Sequence, residues 1–120
     1  MINGSVIHAI LTSPDKMHTT SLMTVKDALE FGFSYVENQD HMVRYVVVGP
    51  EMLKKIFKEI DESTVDPIGE KMGTLWSADI LFSRKISDNR IIFSNFELKT
   101  VLVLDLKPNK ITSEVQHATI

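Results

Sequence analysis

The sequence predicts an α+β domain in which a central mixed β-sheet is covered by two helices. Three observations predict it. Val43-Arg-Tyr-Val-Val-Val48 is β-branched and almost continuously apolar, which suits a strand buried on both faces. Gly49-Pro50 follows at once and opens a segment with apolar residues at three- and four-residue steps, so strand, turn and helix succeed one another directly. Further strand-like runs near 75–83, 90–94 and 99–106 are separated by short polar connections.

Taken in order, residues 5–11 are too short an apolar run to choose between strand and helical turn. Residues 12–23 mix Ser, Thr, Pro, Asp and His and read as an ordered loop. A helix is expected from about 24 to 38. Thr24 is a suitable N-cap, with Asp27 three residues on, and Val25, Ala28, Leu29, Gly32, Phe33 and Val36 make one apolar stripe. Gly32 weakens a helix, so its place on the stripe predicts close packing against a neighbour. After the 43–48 strand, Pro50 suits the first helical position because no amide partner is needed there. Met52, Leu53, Ile56, Phe57 and Ile60 form the buried face of that second helix, expected from 50 to about 61. Lys54, Lys55, Lys58 and Glu59 form its wet face.

Residues 61–72, with Pro67 and Gly69, read as a polar loop. The stretch from Gly73 to Ser94 reads as a hairpin, its turn at Ser87-Asp88-Asn89. Trp76, Ala78, Ile80 and Phe82 share one strand face, so Trp76 is expected to be buried against Ile80, Phe82 and the 50–61 helix, with Asp79 exposed opposite. Asn95-Phe-Glu-Leu98 makes a connection, and Ile111 to Ile120 alternate in the manner of a last strand.

Composition narrows the functional classes. The chain has 120 residues, 43% hydrophobic and 24% charged, which is one ordinary globular domain. A net charge of −3 gives no basic excess of the kind a general nucleic-acid binder carries. No apolar run approaches the ~20 residues that span a bilayer, and no signal-peptide pattern opens the chain. A cytoplasmic location is therefore the default, rather than secretion or a membrane. With no cysteine, disulfides, thiolate metal sites and Cys nucleophiles are excluded.

Motif chemistry is equally sparse. His8, His18, His41 and His117 include no helical i, i+4 pair and no zinc-protease motif. Asp61, Glu62 and Asp66 lack the alternation and central Gly of a calcium loop and read as a solvated loop. The five glycines are too dispersed to cradle a phosphate, and no nucleophile elbow is present. No cofactor, metal or catalytic residue is assigned, and the protein is read as a non-enzyme.

Several pieces, in order, resemble the C-terminal part of tailed-phage major capsid proteins of the Hong Kong phage fold, a fold also found in encapsulins. The first is Val46-Val47-Val48-Gly49-Pro50 and its following helix, with Gly49 where that family more often has Asn or Asp. Gly73, Leu75, Trp76, Ala78, Ile80 and Ser83 are similar to the strand segment that follows. Val101-Leu-Val-Leu104 and Ile111 to His117 resemble the later sheet strands. Family subunits are normally far longer, with an arm and an extended loop for which this chain has little room. The resemblance implies an axial and peripheral capsid domain, placed in a virion and acting through contacts with other capsid subunits, with no turnover and no sequence-specific nucleic-acid binding. It also implies subunit contacts at the connections 61–72 and 84–90, hence at Glu70, Lys71, Arg84, Lys85 and Asp88. Charge reversal there, as in Lys85→Glu or Glu70→Lys, is expected to alter assembly and leave the fold intact. The alternative is a small ligand-binding or regulatory module, a dimer among its forms, marked by a deep apolar pocket with convergent polar groups. An enzyme would need scattered Asp, His and Ser residues to converge in a cleft.

Overall fold

Three strands apolar on both faces need cover on both sides, and the fold supplies it. The computed structural model describes residues 6–13, 18–21 and 23–107. Its elements are α1 (Val6–Thr12), β1 (His18–Ser21), α2 (Val25–Asn38), β2 (Tyr45–Val48) and α3 (Pro50–Glu59). They continue with β3 (Ser63–Ile68), β4 (Lys71–Leu75), β5 (Ala78–Phe82), β6 (Arg90–Ser94) and β7 (Thr100–Leu106). The strands form one seven-stranded mixed sheet in the order β1-β7-β6-β2-β5-β4-β3. This is the α+β class, with three helices among the described residues where two were expected.

The two faces of the sheet are covered unequally. On one, Val46, Val48, Ile80, Ile91, Phe93, Leu102 and Leu104 meet Val25, Ala28, Leu29, Phe33 and Val36 of α2 and Met52 and Ile56 of α3. On the other, Val47, Leu81, Ile92 and Val103 meet Ile10 of α1. Of residues 5–11, ambiguous by period, 6–11 are thus helical, with a sheet face beneath them. Residues 12–23 are not wholly loop, since β1 pairs parallel to β7 along His18↔Val103 to Ser21↔Leu106.

The stripe read on α2 is the buried face of that helix, Val25 to Val36. Thr24 caps it, its hydroxyl accepting from the Asp27 amide at 3.1 Å. Gly32 is needed for contact. A Cβ there would lie 2.0 Å from the Phe93 ring, which is itself fully buried. Gly49 is the N-cap of α3 and Pro50 opens the helix. A Cβ at 49 would lie 2.5 Å from the Ile86 backbone carbonyl oxygen. Asn or Asp does not fit that gap, which accounts for the glycine.

The second half of the sheet differs from expectation. Residues 61–72 form β3, a turn and the start of β4 in place of a loop. Ser63 Oγ donates to the Ile60 carbonyl at 2.7 Å, tying the strand's start to the end of α3. Pro67 is tolerated because β3 is an edge strand with one row of amides unpaired. The 75–83 run is broken at Trp76-Ser77, a two-residue connection between antiparallel β4 and β5. Trp76 adopts φ 53° there and is 40% exposed, meeting Phe33 edge-on at 4.9 Å. It is not buried against Ile80 or α3 as expected, because the turn removes it from the strand face. The Ser87-Asp88-Asn89 turn exists, but β5 and β6 do not pair. β2 lies between them, parallel to β5 and antiparallel to β6. The strand expected over 111–120 lies outside the described residues.

Candidate subunit-contact surface

Strand register gathers the loops at two ends of the sheet. At one end, Val48 is opposite both Phe82 and Ile91, and Lys71 is opposite Leu81. The 69–70 turn and the 83–89 loop therefore emerge together, beside Gly49. Glu70, Lys71, Arg84, Lys85 and Asp88, separate in sequence, all belong to this Gly49 end.

Their surroundings differ. The Glu70 carboxylate accepts from the Val6 amide at 2.8 Å, holding the start of α1, and is half-buried. Reversing its charge would disturb α1, so the expectation of an intact fold is corrected for Glu70→Lys. Lys71 Nζ lies 3.6 Å from Asp66 across the hairpin. Arg84 and Lys85 are exposed, with the Arg84 guanidinium 5.7 Å from the Phe82 ring centre. Asp88 is exposed in the same loop.

The opposite end is built around Asn95. Its Oδ1 accepts from the amides of Glu97 at 2.9 Å and Lys99 at 3.1 Å, which fixes the side-chain amide's orientation. Its Nδ2 then donates to His41 Nδ1 at 3.3 Å, tying the 95–99 loop to the turn after α2. The loop so held presents Phe96 to solvent at 62% exposure, next to Met42 at 54%. Asp40, His41, Met42, Asn95, Phe96 and Glu97 line a shallow depression of about 370 Å³.

Arg44 stands beside it, ion-paired to Asp79 at 3.0 Å, with its guanidinium 4.8 Å from the Tyr45 ring centre and 5.8 Å from that of Phe96. Asp79, expected to be exposed, is half-buried by this pairing. By sequence, 95–98 is only a connection and Met42 a gap-filling core or loop residue, and nothing there marks Phe96 as exposed. The one signal was an aromatic inside a four-residue loop, where no strand face is available to bury it.

Among the described residues, no group of three or more His, Asp or Glu side chains is arranged to hold a metal ion. No helix among them is long and apolar enough to cross a membrane. No family model matches the chain, and no curated protein or solved structure is significantly similar to it.

Proposed function

We propose that the protein is a structural subunit of a capsid-like shell and acts through contacts between copies or with a larger shell subunit. The observation that carries the proposal is apolar surface left outside a well-filled core. Val65 and Ile68 on the edge strand β3 are 62% and 64% exposed, and Phe96 and Met42 extend the pattern to one sheet end. Apolar groups held at an edge and an end are suited to cover by another chain. The ordered resemblance of the segments 46–56, 73–83 and 101–104 to phage capsid subunits supports the same reading.

Light scattering across a concentration series, followed by negative-stain imaging, tests it. Association that grows with concentration is expected, and it should fall when Val65→Asp and Ile68→Lys are combined. A strictly monomeric protein at high concentration, which also fails to bind a co-expressed shell subunit, overturns the proposal.

A further inference from the structure

We propose that His41 and Asn95 form a proton-operated latch on the 95–99 loop, closed while the His41 ring is neutral and opened when that ring takes up a proton. The inference stands apart from the shell reading, because it concerns how one copy holds its own loop. It follows from the donors and acceptors around one buried side chain. Asn95 is 4% exposed, so its amide has little access to water. Oδ1 accepts from the Glu97 and Lys99 backbone amides, and two N–H donors require oxygen at that position. Nδ2 is thereby turned to His41 Nδ1, 3.3 Å away, and as a donor it needs a ring nitrogen with a free lone pair. Only the neutral imidazole with its proton on Nε2 supplies one there.

Protonation removes that acceptor. Nδ1 then carries a hydrogen of its own, and two donors face each other. Turning the Asn95 amide over would offer its oxygen to the imidazolium, but the same turn takes it from Glu97 and Lys99. Either way a bond to a buried group is lost, and a buried donor left unpaired costs more than an ordinary hydrogen bond contributes. Both joined segments are also held away from relaxed backbone. Asp40, next to His41, has φ 63°, and Leu98, inside the loop, has φ 60°. Non-glycine residues persist in that region only where surrounding contacts hold them. Opening the latch therefore lets the loop relax and releases Phe96 from its place beside Arg44. The charged groups on the segments around His41 are Glu37 and Asp40 at the end of α2, Arg44 with its partner Asp79, and Glu97 and Lys99 in the loop. Of all these side-chain types, only histidine ordinarily changes charge between about pH 5 and 8. The latch is closed where His41 is neutral and opens as falling pH charges it.

Nuclear magnetic resonance of the nitrogen-15-labelled full chain tests the inference, with pH lowered from about 8 until the His41 ring C–H signals show the proton taken up. Exchange of the Glu97 and Lys99 amides, corrected for its intrinsic pH dependence, is expected to quicken about fivefold along the same titration, the equivalent of one ordinary hydrogen bond. His41→Gln, which stays neutral, should leave those two amides without that response. Asn95→Asp should reverse it. One carboxylate oxygen still accepts from the two amides, while the other pairs with His41 only once the ring is charged. Unchanged amide signals from β2 and β7 serve as the control for folding in both variants. If the ring protonates and the two amides do not respond, or if they respond alike in His41→Gln, the latch does not exist. A response of unchanged sign in Asn95→Asp also overturns it.

Discussion

Phe93 and Trp76 mark two regions of the same sheet that obey different rules. Phe93 sits on the interior strand β6 with no exposed surface, its ring against Gly32 of α2 and 6.1 Å from the Phe33 ring centre. Trp76 sits at the rim, in a two-residue turn with φ 53°, touching the same Phe33 from outside and 40% exposed. The larger aromatic is the less buried. Place in the topology outweighs side-chain size, because a central strand with helices above and below has no solvent side. A turn at the sheet's edge always has one.

Truncating Phe93 should hurt most. Phe93→Ala is expected to cost about 3–5 kcal/mol, a large share of the stability of a domain of this size. Urea denaturation with matched m-values would measure it, and a loss below about 2 kcal/mol would place the core elsewhere. Gly32→Ala comes next. The new methyl is driven into the Phe93 ring at a cost of about 1–3 kcal/mol, against up to ~1 kcal/mol gained from Ala's better helix propensity. A net loss of about 1–2 kcal/mol follows, and Phe93→Leu in the same chain should recover part of it. Additive losses in that double variant would mean that the two residues do not press on each other.

At the rim the effects shrink and one changes order. Trp76→Ala is expected to cost about 1–1.5 kcal/mol, near the value of the single aromatic pair it breaks. Trp76→Gly should cost no more than Trp76→Ala, because glycine accepts the left-handed backbone freely. The native protein should also emit at a wavelength between those of buried and fully hydrated indole. Thr24→Ala should cost about 1 kcal/mol through the lost cap on α2. Smallest of all, Ile68→Lys on β3 should stay within about 0.5 kcal/mol, even though it replaces a large apolar residue in a strand. A clearly larger loss would show that β3 packs against something within the monomer.

What could be read from the sequence was whatever local period and covalent constraint govern. The stripe on α2 repeats every three to four residues, so it named the buried face of a helix without any knowledge of its neighbour. Thr24 and Pro50 act through the first turn of their own helices, and the α+β class followed from the alternation of such segments. The apolar runs of β2 and β7 announced central strands, because no other position buries both faces. Other features depended on contacts distant in sequence. That β2 would separate β5 from β6 is a choice among pairings that the strands alone do not distinguish. The fate of Trp76 turned on whether the chain reversed at 76–77, and strand period is silent about that. Residues 63–68 are strand only because β4 offers them hydrogen bonds. The candidate contact residues Glu70, Lys71, Arg84, Lys85 and Asp88 were named from a resemblance. Only the register of β2, β4 and β5 brings them to one end, and only the Asn95 bonds to Glu97, Lys99 and His41 turn a plain connection into a surface that holds Phe96 outward. Periods and caps are local properties of the chain, whereas the sheet's pairing order and its exposed ends arise from contacts between segments tens of residues apart.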